Sequence, residues 1–275
     1  MNKVIETILK KNFQMGLSFD EPSHTYYLGG NKISSTSKVL GSLQKDFDPI
    51  TMSIKCSQNP NHEHFGKTPE EIQSIWANTT DNACDVGHNF HLVAQNYLLQ
   101  VDKDYIESGK NFFENNAFNE YHYILFDKFY RENFLKYKDE QLCRVIRTVG
   151  LEVLIAHPLY EVGGTFDALL EYIPNKWLLV FDWKTNKKFS VADTYKLIEP
   201  YQHFDKSKLT IYTFQTYIYR FILEAIYGIE VKDCRIVWFD LANNTYQIHK
   251  PKFAYNHEFI RSVLARFNNN LKIAT

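Results

Sequence analysis

Gly164-Thr165-Phe166-Asp167 and, fifteen positions beyond Asp167, Asp182-Trp183-Lys184-Thr185 decide how this chain is read. The pattern between them predicts one β-hairpin. Its first strand covers about 159–172, Pro174-Asn175-Lys176 makes the turn, and the return strand covers about 177–184 with Leu178, Leu179, Val180 and Phe181 at its centre. Strand side chains alternate between faces, so Asp182 and Lys184 share one face, preceded on it by Val180 and Leu178. A carboxylate and an ammonium ending an apolar strand are costly unless paired, hydrated or bound to a metal. If Asp167 converges on Asp182, the two carboxylates repel at neutral pH, and a divalent cation removes that repulsion. This is the physical pattern of a metal-dependent phosphodiesterase. Taken alone, the Asp-x-Lys triplet is more often a strand ending in solvated charges.

The surroundings supply context. Arg147 to Ile155 is rich in β-branched and aliphatic residues and reads as a strand. Its single acid, Glu152, either faces solvent or sits beside Asp167. Leu209 to Tyr227 reads as an amphipathic helix stopped by Gly228. Tyr212, Gln215 and Tyr219 fall three and four apart, in one stripe, and a buried Gln215 needs partners. Thr68-Pro69-Glu70-Glu71 is a helix start with a capping box, and the helical pattern runs through His91 to about Leu99. Gly87 and Ala94 are small neighbours of His91, so another element can approach it. A second helical stretch is expected over about 112–137, a last hairpin joins Cys234–Leu241 to Thr245–His249, and a final helix covers about 257–267.

Together these pieces resemble the PD-(D/E)xK nuclease superfamily, in the branch of the RecB nuclease domain, lambda-type exonucleases and CRISPR adaptation nucleases. The elements carrying the resemblance are Gly87…His91, Glu152, Gly164-Thr165-Phe166-Asp167, Asp182-Trp183-Lys184 and Gln215-Thr216-Tyr217-Ile218-Tyr219, in the order of that branch. The hairpin through His24-Thr25-Tyr26-Tyr27 and Gly29-Gly30-Asn31-Lys32, followed by a Ser/Thr-rich helix start at 33–40, is similar to phage-type members. The resemblance implies an α/β (α+β) fold with a restriction-endonuclease-like core: a central mixed β-sheet flanked by helices, with an N-terminal hairpin and a helical insertion. One nuclease domain would span 1–275: an N-terminal hairpin and helical part to about 140, a nuclease core over about 141–250, and a C-terminal helix beyond.

The resemblance also implies roles. Asp167 and Asp182 would bind Mg²⁺, replaceable by Mn²⁺, with His91 and the main-chain carbonyl of Trp183 as further ligands. Glu152 would help hold a second ion or its water, and Lys184 would orient or deprotonate the attacking water. Burial should lower the Lys184 pKa and Asp182 should oppose that shift. Gln215 and Tyr219 would reach toward the phosphate. Thr185, Lys187, Lys188, Tyr212 and Tyr219 would contact DNA. The implied activity is a DNA exonuclease of phage or bacterial recombination, replication or repair. Alternatives are a structure-specific endonuclease on the same site and a non-catalytic DNA-binding module. A recombination or helicase partner fits the reading.

Composition sets the remaining bounds. The 275 residues carry a net charge of −1, so DNA binding would need a local patch such as Lys184, Lys187 and Lys188. Cys56, Cys84, Cys143 and Cys234 are scattered, with no late cluster to hold the iron–sulfur centre of some relatives, and none is expected. Cys56, His62 and His64 match no closed zinc spacing and read as a solvated loop. Scattered thiols, no signal-peptide core, and no apolar run near the ~20 residues of a membrane span point to a cytoplasmic protein, bacterial or in an infected host cell.

Overall fold

The computed structural model describes residues 2–101, 119–138 and 141–274. The chain begins with a helix, α1 (Lys3–Met15), capped by Asn2 and ended by Gly16 in the left-handed region. The expectation that a hairpin comes first is corrected here: Ile5 and Ile8 recur at helical spacing and bury one face of α1. The hairpin follows as β1 (Leu17–Asp20), β2 (Thr25–Leu28) and β3 (Asn31–Ser35), and leads into α2 (Thr36–Ser42).

Two further helices follow, α3 (Pro49–Gln58) and α4 (Pro69–Val101). Cys56 lies buried within α3, not in a solvated loop, because Asp48 caps the segment and Pro49 suits its first turn. The capping box that starts α4 forms as read: Thr68 N–H donates to Glu71 and Glu71 N–H to Thr68. The next helix, α5, covers Glu120–Phe134. Residues 112–118 of the expected helix lie outside the described residues. Its C-terminal end is corrected: Leu135–Lys138 is a strand, β4, paired with β5 (Gln141–Arg144).

The core strands are β6 (Ile146–His157), β7 (Val162–Tyr172) and β8 (Trp177–Lys184). Helix α6 (Lys208–Tyr227) crosses to β9 (Asp233–Asp240), which turns into β10 (Thr245–His249), and α7 (His257–Ala274) closes the chain. One eight-stranded mixed sheet runs β1-β2-β3-β7-β8-β9-β10, with β6 on β7. β8 and β9 pair in parallel, as the α6 crossover between them requires.

Helices cover both faces. Ile8, Val39, Phe214, Ile218 and Ile260 of α1, α2, α6 and α7 pack on Val153, Phe166 and Val180. Phe90 and Leu98 of α4 and Phe126 and Phe129 of α5 pack on Leu151, Ala168, Phe181 and Phe239. Consecutive residues such as Val180 and Phe181 therefore serve opposite cores, as a strand buried on both faces demands.

Candidate metal centre

The site lies where β7 and β8 separate. Their antiparallel ladder runs from Tyr172↔Trp177 to Ala168↔Phe181 and stops. One step further, Asp167 would stand opposite Asp182. Instead β8 continues on β9 alone, from Asp182↔Ile236 to Lys184↔Trp238. The edge of β7 that it vacates is taken by β3, through Ser34↔Val162 and Ser35↔Gly163. Asp167 spans the fork: its Oδ2 accepts the main-chain N–H of Trp183 at 2.5 Å.

Glu152 arrives from the other neighbour of β7. Leu151 pairs with Ala168 and Val153 with Phe166, which brackets Glu152 opposite Asp167. Residues two apart on a regular strand share a face. Here Leu151 and Ala168 pack in the α4/α5 core, and Val153 and Phe166 in the opposite one. Both strands thus switch faces at the two acids. Glu152 takes the turn in its own backbone, with φ at +47°. Such a conformation costs an acidic residue of order 1–3 kcal/mol and is held by the packing on either side.

His91 comes down from α4. Its Nδ1 lies 3.4 Å from Glu152 Oε1 and 3.5 Å from Asp167 Oδ1. Its Nε2 donates to the main-chain carbonyl of Trp183 at 3.2 Å. Gly87, one turn earlier, faces Thr185: a Cβ added there would sit 3.4 Å from Thr185 Oγ1, an ordinary contact, so the end of β8 lies against α4. Ligand atoms of His91, Glu152 and Asp167 all fall within 4.8 Å of one another. Burial opposes a charge on His91, but Asp167 and then Glu152 outweigh it and hold the imidazole up at about 9. Burial raises the Asp167 carboxyl, opposed by His91. An imidazole nitrogen, two carboxylates and a nearby carbonyl are a donor set for a divalent cation. The cluster can coordinate one.

Asp182 stands outside that cluster, on the α6 side. It is fully buried, and its Oδ2 lies 2.8 Å from Lys184 Nζ. The pair is close but poorly aligned: neither carboxylate oxygen has a hydrogen-bond donor in good geometry among the described residues. Burial pushes the Asp182 carboxyl up to about 6, with Lys184 opposing and Asp167 reinforcing. Burial works against the charge of Lys184, but Asp182 and Asp167 outweigh it and the ammonium titrates above its ordinary range. Of the two opposed effects expected on Lys184, the charge of Asp182 wins.

The α6 stripe forms too. Gln215 Nε2 donates to the hydroxyl of Tyr219 at 3.0 Å. Tyr219 is buried, and burial holds its hydroxyl well above the ordinary tyrosine range. The Tyr212 ring lies under Lys184 Nζ, 4.6 Å from ammonium to ring centre. Thr185 is half-buried, whereas Lys187 and Lys188 are exposed on the loop beyond β8.

Sequence reasoning missed several residues around this site. Thr36 Oγ1 donates to the Gly163 carbonyl, and the Tyr26 hydroxyl lies 3.2 Å from Thr165 Oγ1. Both come from the N-terminal hairpin region, whose parallel pairing with β7 has no local signature. Asn186 and Trp238 anchor the loop after β8 through the Trp238 Nε1–H to Asn186 carbonyl bond, at 2.8 Å. No protein-family model matches the chain, and no curated protein matches it. No helix among the described residues is long and apolar enough to cross a membrane.

Proposed function

We propose that this chain is a metal-dependent DNA exonuclease of the PD-(D/E)xK superfamily, in the branch of the RecB nuclease domain and the lambda-type exonucleases, with a restriction-endonuclease-like core in one domain spanning 1–275. The observation that carries the reading is the fork itself. Asp167 stands on one strand at the point of separation, Asp182-x-Lys184 continues the other, and His91 and Glu152 converge on Asp167. A structural ion pair would not need a histidine and a strained glutamate brought to the same point.

In this reading Asp167, His91 and the Trp183 carbonyl would hold Mg²⁺, or Mn²⁺ in its place, with Glu152 beside them, and Asp182 would join from the α6 side of the fork. The buried, poorly satisfied oxygens of Asp182 suit that role. The cation supplies Lewis-acid polarisation of the phosphate and a water of lowered pKa. Lys184 offsets charge on the phosphate; in the metal-free chain Asp182 and Asp167 hold its ammonium above the ordinary lysine range. Gln215 fixes the Tyr219 hydroxyl at the edge of the site. Thr185, Lys187 and Lys188 meet the DNA backbone beyond the fork. The cysteines Cys56, Cys84, Cys143 and Cys234 are free, which suits a reducing cytoplasm, bacterial or of an infected host. A recombination or helicase partner is consistent with end processing.

Digestion of end-labelled single- and double-stranded DNA with Mg²⁺, Mn²⁺ or chelator tests this. Metal-dependent shortening from ends is expected, abolished in Asp182→Ala with DNA binding largely retained. A covalently closed circle should remain intact. Cleavage that persists in chelator or in Asp182→Ala sinks the reading, and nicking of the circle replaces the exonuclease with an endonuclease.

A further inference from the structure

Lys184 is half-buried at the fork and has different partners on its two sides. Asp182 Oδ2 lies 2.8 Å from its Nζ, and the face of Tyr212 lies 4.6 Å away. Tyr212 is itself tethered: its hydroxyl donates to Asn186 Oδ1. Asn186 is fixed in turn, because its carbonyl accepts Trp238 Nε1–H at 2.8 Å from β9. Phe189 closes the group. It stacks on Trp238 with ring centres 5.6 Å apart, on His249 of β10 at 4.6 Å, and leans on Tyr212 at 6.0 Å. The chain of contacts runs from the end of β8 through α6 and back to β9 and β10.

We infer that Tyr212 and Asn186 are positioning residues that fix the Lys184 ammonium beside Asp182, and that Tyr212 does not contact DNA. Three things support this. A four-carbon stem leaves an ammonium free to swing unless both its anion and its open side are occupied. An aromatic face attracts a cation and, unlike a second carboxylate, does not neutralise it. The phenol proton that could meet a phosphate is already donated to Asn186 Oδ1. Asp182 and the face of Tyr212 thus bound the ammonium on two sides. The kinetic consequence rests on the nuclease reading above; the geometric claim does not.

The test combines kinetics with a labelling ratio. Single-turnover cleavage at saturating DNA is measured for wild type, Tyr212→Leu, Tyr212→Phe and Asn186→Ala, with and without Lys184→Ala. DNA affinity is measured in chelator. Trace acetylation with acetic anhydride, read by mass spectrometry, gives the labelling of Lys184 relative to Lys187 in each chain. Loss of the ring in Tyr212→Leu should slow cleavage about a hundredfold, as a displacement near 1 Å does. Affinity should hold, and relative labelling of Lys184 should rise. Tyr212→Phe and Asn186→Ala keep the ring and lose the tether, so they should fall in between. In Lys184→Ala, Tyr212→Leu should add no further loss. Weakened DNA binding in Tyr212→Leu, or a full further loss in Lys184→Ala, overturns the inference. If wild type cleaves no DNA, the nuclease reading fails instead, and the labelling ratio still decides: an unchanged ratio in Tyr212→Leu overturns the positioning claim, and a raised one supports it.

Discussion

Asp167 accepts the main-chain N–H of Trp183 across the gap where β7 and β8 part. That one bond replaces the ladder the strands give up, and it fixes a carboxylate at the mouth of the fork with its second oxygen turned to His91. Asp167→Asn would present either an amide oxygen or an NH₂ group there. The amide oxygen preserves the bond but loses attraction to the imidazole. The His91 pKa, raised by Asp167, should therefore drop toward its ordinary value in this variant, as NMR titration of the metal-free protein would detect.

Glu152 tests the strain argument. Its φ of +47° is open to glycine and costly for alanine. Both Glu152→Gly and Glu152→Ala remove the carboxylate. The glycine variant should nevertheless be the more stable by about 1 kcal/mol in denaturant unfolding. Equal stabilities would show that the backbone at this position carries no strain.

Asp182 and Lys184 form a pair with little exposure on either side. Removing only the cation, in Lys184→Met, leaves a buried carboxylate uncompensated and should cost roughly 3 kcal/mol. The double variant Asp182→Asn/Lys184→Met should recover most of that loss while remaining inactive. Urea unfolding of the single and double variants provides the comparison.

Gly164 shows how closely the sheet meets α6. A Cβ placed there would lie 2.7 Å from Thr36 Oγ1 and 2.7 Å from Tyr219 Cε1. Both neighbours are buried, so neither can swing into solvent. Gly164→Ala should destabilise by about 1–3 kcal/mol and displace Tyr219, measurable as a lower unfolding midpoint and slower turnover.

His157 sets an acid limit on stability. Its ring stacks on Phe221 at an interplanar angle of 10°, and its buried Nδ1 has no hydrogen-bond partner among the described residues. Burial lowers its pKa to about 4. The unfolded chain takes up this proton near pH 6.5 and the folded chain does not until about pH 4, so this contribution is complete above the higher value and lost as pH falls through the window. The loss should be roughly 3 kcal/mol, levelling off below the lower value. The difference in unfolding free energy between wild type and His157→Phe, measured at several pH values, should follow that curve.

Much of this arrangement is legible in the sequence because it rests on local chemistry. Gly228 ends α6, Thr68 and Glu71 start α4, and the apolar run from Leu178 to Phe181 marks β8. The candidate site is legible in part: His91, Glu152 and Asp167 converge, whereas Asp182 stands outside that cluster beside Lys184. Long-range relations are not. Nothing near Ser34 announces that β3 fills the edge vacated by β8, because two pairs of a parallel ladder leave no periodicity of their own. The left-handed backbone of Glu152 is equally hidden, since packing of Leu151 and Val153 into opposite cores imposes it. The strand at Leu135–Lys138 directly follows Phe134 with no glycine or proline between them, and its pairing with β5, a partner further along the chain, fixes it as a strand.

The central claim is that a divalent cation sits at the fork. Calorimetric titration of Mn²⁺ into wild type, His91→Ala, Glu152→Gln and Asp167→Asn, with folding checked by circular dichroism, tests it most directly. Saturable binding is expected in wild type, weakened at least about tenfold in each variant. Wild-type affinity retained in folded Asp167→Asn would contradict the account.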